Sequence, residues 1–122
     1  MKYLGIDYGS KNIGLAKATS ELKIATPFKI LQNSPRVFAD LRQIIKQEEI
    51  DELVVGYPLT LKGETGKQAQ AVEKFIKKMS IFNLPISRQD ERFSSRGAVG
   101  SKFGNDASAA ALILQSYLDV SL

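Results

Sequence analysis

The chain has no cysteine and no histidine among its 122 residues. That double absence excludes disulfides, thiolate zinc sites, Ser-His-Asp triads and imidazole bases. Chemistry is left to carboxylates, Lys, Arg, Ser/Thr and Tyr, and hard carboxylate oxygens suit Mg²⁺ or Mn²⁺ better than softer metals. Long hydrophobic runs are missing as well. No apolar stretch approaches the roughly 18 residues a membrane helix requires, and the N-terminus enters a strand-like run after one lysine, so a cytoplasmic protein with no membrane association is expected. No repeat, low-complexity tract or dividing linker is present. The length and the 43% hydrophobic content suit one domain over residues 1–122 with one core.

Charge is only mildly unbalanced, with 17 Lys+Arg against 13 Asp+Glu and a net +4. Its distribution says more than its total. Four acids crowd into Glu48, Glu49, Asp51 and Glu52, so the rest of the chain sets 17 basic against 9 acidic side chains. If that acidic run lies away from the reactive edge, the remaining surface can attract phosphates.

Hydrophobic spacing and turn residues predict β-β-β-α-β-α-β-α. The strands are expected at Lys2 to Tyr8, Ile13 to Ala18, Lys23 to Leu31 (interrupted or ended near Pro27), Leu53 to Gly56, and Pro85 to Gln89. Helices are expected at about Pro35 to Gln47, with Ser34 as N-cap, at about Glu64 to Ser80, and at Asp106 to Leu118. The inner stripe of the second is Ala69, Val72, Phe75, Ile76 and Met79. Short turns between the first three strands imply an antiparallel meander, and right-handed β-α-β crossovers make strands 1, 4 and 5 parallel. The expected fold class is α/β, a mixed five-stranded sheet with helices on both faces, an order shared by RNase H-like folds and by each half of the sugar kinase, Hsp70 and actin folds.

In such a sheet the C-terminal ends of strands 1, 4 and 5 share one edge, where open α/β sheets place their ligands. Asp7 falls near the end of strand 1, Asp90 and Glu91 just past strand 5, and Asp106 at the start of a helix reached from the same edge. Carboxylates gathered there would repel unless cations neutralise them. Paired Mg²⁺ ions would do so while activating water and stabilising the leaving oxygen of a phosphodiester, chemistry that needs no histidine. Lys11, Lys62, Lys67, Arg92, Arg96 and Lys102 are the candidate phosphate partners on that edge. Each acid also has a plainer reading. Asp106 could cap its helix, Glu91 could pair with Arg92 or Arg96, and Asp90 could support a turn. Asp7 is hardest to explain that way, because an acid near the end of a central strand is costly unless paired or metal-bound. Gly9 and Gly14 serve either the hairpin or backbone access for phosphate.

With those positions placed, the chain resembles the YqgF (RuvX) family, described as Holliday-junction resolvases or pre-16S ribosomal RNA nucleases of the RNase H-like superfamily. The runs that carry the resemblance are GIDYGSKNIGLA (5–16), VVGYPLTLKGETGKQA (54–69), DERFSS (90–95) and DASAAALILQSYL (106–118). The resemblance implies Asp7, Glu91 and Asp106 as catalytic, metal-binding acids. It also implies a Mg²⁺- or Mn²⁺-dependent nuclease acting on structured RNA or branched DNA. Gly56, Pro58 and the loop to Gly66 would form a substrate-side element. Symmetric cleavage of a junction would require two active sites and hence a homodimer. Asn12 stands where the family usually has Arg, and the stretch from Phe93 to Asn105 is shorter than in relatives. Two other readings are a non-catalytic nucleic-acid-binding or ribosome-assembly module on the same scaffold, and an actin-like ATPase.

Overall fold

In the computed structural model, residues 1–57, 66–90 and 106–121 are described, the side chains of Asp106 and Ser121 excepted. Five strands are present: β1 (Lys2–Asp7), β2 (Asn12–Thr19), β3 (Thr26–Gln32), β4 (Glu52–Tyr57) and β5 (Ile86–Asp90). They form one sheet in the order β3-β2-β1-β4-β5. β1, β2 and β3 are antiparallel neighbours, whereas β4 runs parallel to β1 and β5 parallel to β4. The central strands β1 and β4 are buried on both faces, which is why Tyr3–Ile6 and Leu53–Val55 read as continuous apolar runs.

The two faces have separate cores. Leu4, Ile6, Ile13, Leu15, Leu53 and Val55 meet Val37, Leu41 and Ile44 of α1 (Val37–Gln47) and Val72, Phe75, Ile76 and Met79 of α2 (Lys67–Met79). On the other face Tyr3, Ala16, Ala18 and Val54 meet Ala110, Ile113, Leu114 and Leu118 of α3 (Asp106–Ser121). Small residues let α3 come close to the sheet. A Cβ built on Gly5 would lie 2.8 Å from Leu114 Cβ and 3.1 Å from the Ala110 carbonyl oxygen. The expected α2 stripe is buried throughout, and α3 buries Ala107, Ser108, Ala110, Ile113, Leu114 and Leu118.

Two local expectations change. Pro27 does not end the third strand but stands near its beginning, pairing with Ala16. β3 is an edge strand, and its register shifts between Leu15 and Ala16, so a residue without an N–H is tolerated there. Ser34 does not cap α1 directly. The N-cap is Arg36 without a side-chain cap, and Ser34 instead accepts from the Arg36 N–H through Oγ (3.2 Å) and from the Val37 N–H through its carbonyl (3.0 Å). The chain thus makes a tight turn before the helix begins. A short 3₁₀ helix, Ser80–Phe82, extends α2 and ends at Asn83 in the left-handed region, φ 56°. The second helix begins at Lys67 and not at the expected Glu64, because Gly66 before it is extended and serves as N-cap; the loop from Pro58 and the stretch from Ser94 to Asn105 lie outside the described residues.

Candidate functional site

Strand alternation places Asp7. Tyr3 and Gly5 face α3, so Asp7, two residues further, shares their face, while Leu4, Ile6 and Tyr8 turn to α1 and α2. Asp7 is half-buried, ends β1, and is paired across the sheet with Gly14. It sits one residue beyond the Ile6–Val55 pair, at the C-terminal edge.

The start of α3 arrives at the same place. Tyr117 packs edge-on against Tyr3, with ring centroids 6.1 Å apart, and Ala110 and Leu114 lie over Gly5, so α3 runs antiparallel to β1. One helical turn back from Ala110 is Asp106, about 6 Å along the axis. Two residues on from Gly5 is Asp7, about 6.6 Å along the strand. The backbone of Asp106 is therefore set beside the end of β1, on the face of Asp7.

On β5 the last pair is Tyr57 with Asp90. Arg88 turns to α2, where its guanidinium donates to both Glu73 carboxylate oxygens, at 3.1 and 2.5 Å. Asp90, two residues on, shares the Arg88 face and so points away from the face of Asp7. Glu91, Lys62, Arg92, Arg96 and Lys102 lie outside the described residues. Lys11 is exposed in the β1–β2 turn, and Lys67 is exposed as the first residue of α2. Among the described residues no three acidic side chains gather as a metal-binding group.

The turn after Asp7 is tightly held. Asn33 Nδ2 donates to the Gly9 carbonyl at 2.7 Å, and the Asn33 N–H donates to the Lys11 carbonyl at 2.8 Å. A Cβ on Gly9 would fall 2.4 Å from the Asn12 carbonyl oxygen, so close backbone approach accounts for this glycine. Sequence reading did not single out Asn33; its place just past β3, after the hairpin it clasps, is the signal that was available.

Beside this turn, on the α2 face of the edge, lies a hollow of about 190 Å³ lined by Tyr8, Asn33, Phe38, Ala71, Lys74, Phe75 and Lys78. Its aromatic rings are in contact: Tyr8 to Phe75 at 4.9 Å and Phe38 to Phe75 at 5.4 Å. Tyr57, at the end of β4, has its hydroxyl pushed above its ordinary value by burial and then by the Glu73 carboxylate, so it stays protonated at neutral pH. The Arg88 hydrogen bond holds the Glu73 carboxyl below its ordinary value.

The acidic run occupies the opposite edge. Glu52 begins β4 opposite Tyr3 and accepts hydrogen bonds from Ser87 and Tyr117. Lys17 pairs with Glu48 at 3.1 Å and Lys2 with Glu49 at 3.5 Å, while Asp51 accepts from the Lys2 N–H.

This combination of sheet order, two-faced helical cover and an acid closing the central strand is the RuvC-type form of the RNase H-like fold. Thermus thermophilus RuvC in complex with a Holliday junction substrate superposes with a TM-score of 0.63 at 15% identity, covering 99% of this chain and 95% of that one. The fowlpox virus Holliday junction resolvase gives 0.60 at 14% identity, with full coverage of both chains. The chain itself belongs to the family described as "RuvX: Holliday junction resolvase", whose model matches residues 1–120. A Desulfitobacterium hafniense protein named "Putative pre-16S rRNA nuclease" is 35% identical over 131 aligned positions, covering 98% of this chain and 92% of the relative. A Sulfurihydrogenibium protein of the same name is 36% identical over 130, covering 97% and 90%. Both alignments are longer than the 122 residues present here, as expected of a chain that is shorter than its relatives at some point.

Proposed function

We propose that this chain, as one RNase H-like domain over residues 1–122, is a nuclease that hydrolyses phosphodiester bonds of structured RNA or branched DNA, in pre-16S rRNA maturation or junction resolution. The observation that carries this reading is the meeting of Asp7 with the start of α3 on one face of the C-terminal sheet edge. Glu91, the third acid of the reading, is the residue after Asp90, with which β5 ends. The family and relatives named above support it.

The donor set fits a hard divalent cation, since carboxylate oxygens are the ligands Mg²⁺ and Mn²⁺ prefer. Asp7, Glu91 and Asp106 would hold it. Such ions supply a nucleophile at neutral pH and stabilise charge on the leaving oxygen. The chain's own part is positioning. β1, hydrogen-bonded to β2 and β4, fixes the Asp7 backbone, and Asn33 braces the turn that follows it. Lys11 and Lys67 meet the phosphate backbone from the same edge, joined by Lys62, Arg92, Arg96 and Lys102. The far-edge acids, already paired with lysines, leave the reactive edge free to attract a polyanion. A cytoplasmic location, and a homodimer for symmetric junction cleavage, go with this reading.

The test uses labelled four-way DNA junctions, single-stranded RNA and a ribosomal RNA precursor, each with Mg²⁺ or Mn²⁺. Asp7→Asn is expected to lower cleavage at least about 100-fold, since even outer-shell changes at metal sites cost 10–100-fold. Chelation should abolish wild-type cleavage and added Mn²⁺ should restore it. Identical products from wild type and Asp7→Asn would overturn the nuclease reading.

A further inference from the structure

The hollow beside the β1–β2 turn joins aromatic rings at the margin of the core to exposed lysines. Phe75 forms its buried floor, and Tyr8 and Phe38 are half-buried walls whose rings remain partly open. Its rim carries Lys74 and Lys78, both exposed, and neither forms an ion pair with a described residue. Lys67, Lys74 and Lys78 stand seven and four residues apart, close to whole turns of a helix, so they form one row along α2. Ala71, between Lys67 and Lys74 in that row, is small and leaves the hollow open. Glu73, the acid of this helix, turns instead to Arg88 on β5 and is neutralised there. Among the described residues no acid lines the hollow.

An aromatic floor with a cationic rim is the chemistry that recognises a nucleotide of a single strand. The base stacks on a ring, which any base can do, and the adjoining phosphates meet ammonium groups. Position supplies the rest. Tyr8 follows Asp7 in the chain, with Cα atoms about 3.8 Å apart, yet alternation turns the two side chains to opposite sides of the same edge. A strand crossing that edge would present one phosphate to Asp7 and a neighbouring nucleotide to the hollow.

We infer that the Tyr8–Phe38–Phe75 hollow receives an unpaired nucleobase adjacent to the cleaved phosphate, with Lys74 and Lys78 binding the flanking phosphates. The inference rests on the nuclease reading and deepens it: the substrate must expose at least one unstacked base next to the cut. Fully paired helix, whose bases are stacked inward, would not fill the hollow.

Binding and cleavage can be separated. Affinity is measured by fluorescence anisotropy without divalent ions, in the Asp7→Asn background, for labelled single-stranded RNA and DNA of about 12 nucleotides. Lys74→Gln/Lys78→Gln should weaken binding and make the salt slope shallower by about 1.4, the share of two phosphate contacts on a single strand. Ala71→Leu, a good helix former that fills the hollow, should weaken binding about five-fold or more, the loss expected for one base–aromatic stack. An unchanged salt slope in the lysine variant, or unchanged affinity in a folded Ala71→Leu protein, overturns the inference. The lysines are exposed, so their replacement keeps the test independent of folding. Failure of the nuclease reading shows elsewhere, as cleavage indifferent to Asp7. The RNA and DNA arms tell which strand the hollow prefers.

Discussion

Gly5 shows how little room a single position can have. Its absent side chain is what allows α3 to lie against β1, and the atoms a Cβ would strike are a helix Cβ and a backbone carbonyl, neither able to swing aside. Gly5→Ala is therefore expected to cost about 1–3 kcal/mol by overpacking, read as a lower midpoint in urea unfolding. It should also reduce cleavage, because the start of α3 would be pushed off the face of Asp7. Asp7 was legible from the sequence because an acid at the end of an apolar central strand conflicts with its surroundings. The hollow was not. Phe75 sits on the apolar stripe of α2 and reads as core, which it also is, and Lys74 and Lys78 read as an ordinary solvated face. Only the packing of β1 against α2 brings Tyr8 onto Phe75 beside them.

Among the elements, α2 and β5 are joined by the Glu73–Arg88 pair. Arg88 hydrogen bonding holds the Glu73 carboxyl below its ordinary value, so the folded state binds fewer protons than the unfolded state near pH 4. The pair's stabilisation is fully present above the ordinary glutamate value, about 4.3, and is lost as pH falls through the lower folded value. Both side chains are about a third or more exposed, 31% and 44%, so solvent screening limits the contribution to about 0.5–1 kcal/mol. Glu73→Gln should remove that amount at pH 7 and flatten the acid limb of a stability profile followed by circular dichroism.

Element types and order were legible throughout the described chain because strand and helix periods differ clearly, as in Leu53–Val55 against the α2 stripe. The ends were less so. Pro27 reads as a strand terminator unless the strand is known to be at the edge, and Ser34 reads as a cap unless the turn it closes is known. The first depends on strand neighbours distant in sequence, the second on a local turn to Arg36 and Val37 that competes with capping.

For the molecule as a whole, the net charge matters less than its separation into two edges. Acids at the start of β4 are engaged with Lys2 and Lys17, while Lys11, Lys67, Lys74 and Lys78 lie toward the other edge. If those four lysines meet phosphates of a single strand, they should contribute about −3 to the slope of the logarithm of the binding constant against the logarithm of salt. Glu49→Gln, at the far edge, should leave that slope unchanged in the same titration. A steeper slope for Glu49→Gln would mean that the strand wraps both edges.

The cover that α3 lays over Tyr3, Ala16 and Val54 also sets an order of events during synthesis. Asp106 follows Asp7 by 99 positions. At about 5–20 residues per second, roughly 5–20 s pass between the making of the two. Throughout that interval the sheet face has no α3 against it, and the acid on β1 stands without its counterpart on the helix. On the nuclease reading, a nascent chain would stay inert until α3 had left the ribosome and folded back onto β1.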